Sequence, residues 1–224
     1  MMNPTRRTLL QGAGLSSLMS LWPFSKLSAA THRGAGIYQQ LGVRPVINCK
    51  GAYTMIGASK QWPELHAAMA EASLHFVLLE ELQEKIGERL SKLIGSESAM
   101  VTTGAAGAIT LGACACLTGA DEEKVRRLPD LTDMKTEVLI QKVHRNNFDH
   151  AIRNTGVRLV EVEGKDQLTN AISDRTAMLY YLGGSGRTDD PVAISFEDCL
   201  EIGKKAGFPV MIDAANLLPP WENV

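Results

Sequence analysis

The sequence predicts an α/β protein, a mostly parallel sheet with helices on both faces. Three observations point there. From residue 137 onward, short apolar runs at 137–143, 157–162, 177–182 and 210–213 alternate with helical patterns at 147–154, 166–172 and 195–206. Strand–helix alternation of this regularity implies parallel strands joined by right-handed crossovers. Three of the runs end in His144, Gly183-Gly184 and Asp213, and ligands of parallel sheets collect beyond the carboxyl ends of the strands. The composition, 224 residues with 45% hydrophobic, 21% charged, 20 Gly and 9 Pro, allows one sizeable core.

Residues 1–30 read as a targeting segment: Arg6-Arg7 opens it, a weakly apolar Gly-, Leu- and Ser-rich run follows, and Ser28-Ala29-Ala30 closes it as a small-residue cleavage site. Thr5-Arg6-Arg7-Thr8-Leu9-Leu10 resembles a twin-arginine export signal. That reading places the protein in the periplasm or outside the cell, with a cytoplasmic tail as the alternative. Gly12, Gly14 and Pro23 make the run a poor permanent membrane anchor. Residues 31–224 form the remainder, an N-terminal segment followed by the α/β domain. Its start is an irregular lead-in to an expected edge strand at Pro45-Val46-Ile47-Asn48, then a Gly-rich loop. Leu65, Met69, Leu74, Leu78, Leu82, Ile86, Leu90 and Leu93 recur at helical steps and predict two helices, broken between Ser73 and Leu79. Residues 98–102 are expected as a strand, 105–117 as an Ala- and Gly-rich helix, and 121–136 as an exposed charged connection.

The formal net charge of −2 advertises neither a nucleic-acid nor an anionic-membrane surface. Cys49, Cys114, Cys116 and Cys199 follow no metal-ligand spacing and are expected as small buried residues, so no metal site is predicted.

The candidate chemistry lies at strand ends. Thr102-Thr103-Gly104-Ala105-Ala106-Gly107-Ala108 joins a strand to a helix. Small residues there let a ligand approach the backbone, and free N–H groups at the helix start bind anions such as phosphate. A tight turn chosen for packing is the alternative. A dinucleotide loop, hence an NAD(P)-dependent reductase, is disfavoured because Ala108 and Thr110 stand where that loop needs glycine. His144 is placed to stack on a flat ring, or is a loop histidine without a role. Arg187, in the Gly-rich rim after residue 182, can hold a carboxylate or phosphate, or is a solvated arginine. Asp213 either holds a cation at its strand end or caps the following turn.

Together these residues, over positions 41–220, resemble the large domain of a fold-type-I pyridoxal-phosphate enzyme. The chain is similar, more closely, to the group containing L-seryl-tRNA selenium transferase and the D-glucosaminate-6-phosphate ammonia-lyase-like proteins. The carrying motifs are Arg44-Pro45-Val46-Ile47-Asn48, Glu81-Leu82-Gln83-Glu84-Lys85-Ile86-Gly87, Thr103-Gly104-Ala105-Ala106-Gly107-Ala108, His144-Arg145 and Val210-Met211-Ile212-Asp213-Ala214-Ala215. The resemblance implies pyridoxal 5'-phosphate as cofactor. Thr103, Gly104, Ala105 and Ala106 would bind its phosphate, His144 would stack on its ring, Asp213 would pair with its protonated ring nitrogen, and Asn216 would touch its ring hydroxyl. It also implies a small-molecule amino substrate and a homodimer.

One departure stands out. The family's Schiff-base lysine lies beyond the strand-end Asp, whereas this chain runs only to Val224, and Lys204 and Lys205 precede Asp213. The sequence is therefore expected to be an N-terminal fragment with the C-terminal part of the fold missing, and inactive in this form. The expected function is a pyridoxal-phosphate-dependent lyase or transferase acting on an amino acid or amino sugar. Selenium transfer to a tRNA-bound serine is disfavoured because an export signal occupies the start and the net charge is slightly negative. A non-catalytic cofactor-binding remnant is the alternative.

Overall fold

A computed structural model describes residues 36–51, 54–184, 190–215 and 217. The 1–30 segment, Arg187 and Asn216 lie outside the described residues. Two compact units divide the chain, residues 1–76 and 77–224.

In the first unit, helices α1 (Ile37–Gln40) and α2 (Pro63–Ala72) flank a 3-10 turn at Thr54–Ile56. Pro63 opens α2, where a missing N–H costs nothing. The expected strand at 45–48 does not form, and Ile47 is 92% exposed. Asn48 organises a loop instead. Its amide donates to the carbonyls of Gly51 (2.8 Å) and Ala58 (3.2 Å), and its Oδ1 accepts the Lys50 N–H (2.8 Å). An Asn that satisfies local backbone groups in this way competes with any strand ladder.

The second unit carries α3 (Leu79–Ile94), α4 (Ala105–Thr118), α5 (Glu122–Arg127), β1 (Glu137–Gln141), α6 (His150–Arg153), β2 (Arg158–Val162), α7 (Gly164–Ala171), β3 (Thr176–Leu182), α8 (Phe196–Ala206) and β4 (Val210–Asp213). The strands pair in parallel in the order β2-β1-β3-β4. β3 is buried along its whole length, as a strand covered on both faces must be. Ile109, Ala113 and Leu117 of α4 pack with Val138, Ile140, Met178, Tyr180 and Leu182 on one face. Leu168 of α7 and Cys199 of α8 pack with Leu139, Leu179 and Tyr181 on the other. Helices on both faces of a parallel sheet are thus observed. The chain order reverses between β1 and β3, which makes their carboxyl ends the switch point where such sheets open a crevice.

Several expectations need correction. Residues 98–102 form no strand, because α3 takes the place of a strand partner. Gln83 Oε1 accepts the Val101 N–H (3.2 Å) and Gln83 Nε2 donates to the Val101 carbonyl (2.7 Å). One turn on, Gly87 lets this segment lie against the helix: a Cβ there would stand 2.5 Å from the Ala99 carbonyl oxygen. The 121–136 connection contains α5, capped by Asp121, whose Oδ1 accepts the N–H groups of Glu123 and Lys124 (3.0 and 3.1 Å). Leu128 and Leu131 of this connection pack against the core. The first strand stops at Gln141 and turns into a 3-10 helix at Lys142–His144. Of the cysteines, Cys199 is buried, with its thiol pushed up to about 12 by burial, Cys114 and Cys116 are half-buried, and Cys49 is exposed. Cys49 lies in the loop that Asn48 organises, and Cys114 and Cys116 sit two apart on one helix, so they cannot share its buried stripe. Among the described residues no helix is long and apolar enough to cross a membrane.

At the amino end of the sheet Glu137 is buried between Arg158 Nη2 (2.7 Å) and Arg175 Nε (2.8 Å). Burial alone opposes its ionisation, but the two guanidinium partners outweigh it and hold the carboxyl below its ordinary 4.5. A lowered folded-state value gives stability that is present above pH 4.5 and disappears as pH falls through the folded value. Glu137→Gln is therefore expected to lower the urea midpoint at pH 7 and to flatten its decline in acid. A parallel decline in both proteins contradicts this. Gly87→Ala forces a methyl into a backbone carbonyl and should cost about 1–3 kcal/mol. Gly112→Ala meets the flexible Met211 Cε and should cost much less. Equal urea midpoints for the two variants would refute the close-approach argument.

Candidate cofactor site

β4 ends in a carboxylate whose surroundings are fixed by the neighbouring strand. The register aligns Leu182 with Asp213 and Tyr180 with Met211, so Asp213 shares the α4-covered face with Tyr180 and Leu182. The Gly183 N–H extends the pairing by donating to the Asp213 carbonyl (2.9 Å). Asp213 is 7% exposed. Its Oδ1 accepts the Ala215 N–H (3.1 Å), and its Oδ2 accepts the Tyr180 hydroxyl (2.7 Å). The turn-capping role and the buried-acceptor role are both filled, one by each oxygen. A carboxylate offers about four lone-pair sites, so capacity remains for a cationic N–H. Burial, then the Asp213 carboxylate, push the Tyr180 phenol well above its ordinary value, so it is a neutral donor.

His144 closes the 3-10 turn after β1 and is 1% exposed. Its Nδ1 accepts the Leu182 N–H (3.4 Å), which assigns the proton of the neutral ring to Nε2. The ring meets Tyr181 edge-on, 4.4 Å between centroids at 75°. His144 is thus locked over the end of β3 rather than hanging in a solvated loop. Arg145 beside it pairs with Glu161 and with Asp149, which also takes Arg153 Nε at 3.0 Å. Burial opposes the ionisation of Asp149, and its two arginine partners hold its carboxyl below the ordinary value.

The small-residue turn begins α4. Gly104 caps it at φ 126°, where a side chain is disfavoured. No side chain caps this helix start, and the first intrahelical bond is Ala108 N–H to the Gly104 carbonyl (3.0 Å). The N–H groups of Ala105, Ala106 and Gly107 precede that bond, which is the arrangement that receives an anion. Thr103 Oγ1 lies 2.7 Å from where a Gly107 Cβ would stand, so the hydroxyl folds over the first turn. Thr103, Gly104, Ala105 and Ala106 are exposed.

The structure therefore ties His144, Gly183 and Asp213 together through β3, and α4 packs on the same face as Asp213, with Gly112 closely approaching Met211. Two residues were not read from the sequence. Tyr180 looks like an ordinary core residue until the β3–β4 register is known. Asn146 looks like loop, yet its Oδ1 accepts the Phe148 N–H (2.7 Å) and its Nδ2 donates to the His144 carbonyl (3.1 Å), which holds the turn that carries His144.

Comparison with known proteins supports the fold. No family model matches the chain. It is 34% identical over 188 residues to D-glucosaminate-6-phosphate ammonia lyase of Salmonella typhimurium (strain 14028s / SGSC 2262), covering 80% of this chain and 51% of that protein. It is 32% identical over 189 residues to a 5'-C-glycyluridine monooxygenase-decarboxylase of Streptomyces sp, covering 80% and 47%. A solved structure of D-glucosaminate-6-phosphate ammonia-lyase superposes with a TM-score of 0.74 at 33% identity, over 80% of this chain and 50% of that one. The chain spans about half the length of the curated relatives it matches. The fold is that of the pyridoxal-phosphate-dependent, aminotransferase-like enzymes of fold type I. Over the matched residues, the chain is similar to the D-glucosaminate-6-phosphate ammonia-lyase group.

Proposed function

We propose that the chain binds pyridoxal 5'-phosphate and supplies the cofactor-binding half of a lyase or transferase acting on a small amino compound. The observation that carries this reading is a buried carboxylate at a strand end, Asp213, sharing a sheet face with the helix that presents uncapped N–H groups. The residues fit the cofactor: an anion site suits its phosphate, and a buried carboxylate suits a protonated ring nitrogen. When bound, the cofactor supplies an electron sink for carbanion chemistry next to an amino group.

In this reading Thr103, Gly104, Ala105 and Ala106 hold the phosphate, His144 covers one side of the ring, and Asp213 keeps the ring nitrogen protonated. Asn216 retains the role the resemblance implies, at the ring hydroxyl, and Arg187 the role its guanidinium suits, at a substrate carboxylate or phosphate. The ammonia lyase among the relatives favours elimination from an amino sugar or amino acid over group transfer. A homodimer and twin-arginine export complete the proposal, the first from the resemblance and the second from Arg6-Arg7.

Absorbance titration of the 224-residue chain with pyridoxal 5'-phosphate and with pyridoxal is the test. Two or more charge-assisted hydrogen bonds to the phosphate predict that the phosphate ester binds roughly 100-fold more tightly. Asp213→Ala should weaken the ester at least about tenfold. Equal affinity for the two compounds, or an indifferent Asp213→Ala variant, would remove the proposal.

A further inference from the structure

We propose that Tyr180 is a positioning residue that aims the Asp213 carboxylate at the ring nitrogen of the cofactor. The inference rests on the functional reading above and adds a residue to it. Tyr180 lies on the strand next to Asp213, two positions before the residue that pairs with it. Two residues of strand span about 6.6 Å, a distance a tyrosine side chain can bridge, and its hydroxyl lies 2.7 Å from Asp213 Oδ2.

The direction of the proton follows from the partner of the phenol. A carboxylate oxygen can only accept, so the Tyr180 hydroxyl donates to Asp213 Oδ2.

With Oδ1 held by Ala215 and Oδ2 by Tyr180, the carboxylate plane is fixed on both sides. Ordering this acceptor beforehand spares the cofactor the cost of doing so on binding. Tyr180 is 1% exposed and Asp213 7%, so no solvent path replaces these bonds when one is removed.

The test is a double-mutant cycle read by binding of pyridoxamine 5'-phosphate, a probe that needs no lysine linkage. Tyr180→Phe removes one oxygen and keeps the ring, and circular dichroism checks that the fold persists. With Asp213 present, Tyr180→Phe is expected to weaken the probe about tenfold, and in the Asp213→Asn background less than about threefold. The pH at which the bound ring nitrogen loses its proton, followed by absorbance, should also fall in Tyr180→Phe. An equal loss in both backgrounds, or no loss in either, overturns the positioning role and leaves the cofactor reading standing. A wild-type chain that ignores the probe overturns the cofactor reading, and the positioning role with it.

Discussion

A carboxylate buried at a strand end must have partners, since an unpaired buried charge costs several kcal/mol. Asp213 finds them in two places that only parallel pairing of β3 with β4 brings together, the Tyr180 hydroxyl on the adjacent strand and the Ala215 N–H of its own turn. The remaining features of the site depend on that pairing. It places the Gly183 N–H on the Asp213 carbonyl, and β3 also supplies the Leu182 N–H to His144. Loss of the β3–β4 register by one residue would turn Asp213 to the other face, away from α4.

The two ends of the sheet use charge differently. At the amino end Glu137 is neutralised by Arg158 and Arg175, an arrangement that is closed and structural. At the carboxyl end Asp213 has neutral partners, a phenol and an amide, so its charge is left to be answered by a ligand. Elsewhere in the second unit, glutamine amides twice clasp a backbone segment that lacks a strand neighbour. Gln83 holds Val101, and Gln141 holds Ile194, accepting its N–H at 2.6 Å and donating to its carbonyl at 3.0 Å. Each clasp satisfies one N–H and one C=O without a ladder.

Most of the fold was legible because burial on both faces writes nearly continuous apolar runs, and 177–182 and 210–213 are such runs. The break between α2 and α3 was legible from helical spacing that fails between Ser73 and Leu79. The strand expected at 98–102 was not excluded by its residues, because nothing local announces that Gln83, 18 positions away, supplies the ladder bonds. Helix α5 did carry a signal, Asp121 followed by two acids and then Lys124, Arg126 and Arg127, the order a capped helix favours. Asp213 and His144 were legible as polar residues at strand ends. Tyr180 and Asn146 were hidden because their importance lies in cross-strand register and in one turn's hydrogen bonds, which no single segment encodes.

The central claim is that Asp213 keeps a pyridine nitrogen protonated. The most direct measurement is the 15N chemical shift of ring-labelled pyridoxamine 5'-phosphate bound to the 224-residue chain, followed while pH is raised. The account predicts that the bound nitrogen keeps its protonated shift well past the pH at which the free compound loses it, and that Asp213→Asn abolishes the difference. A bound nitrogen that titrates like the free compound, or identically in both proteins, contradicts it.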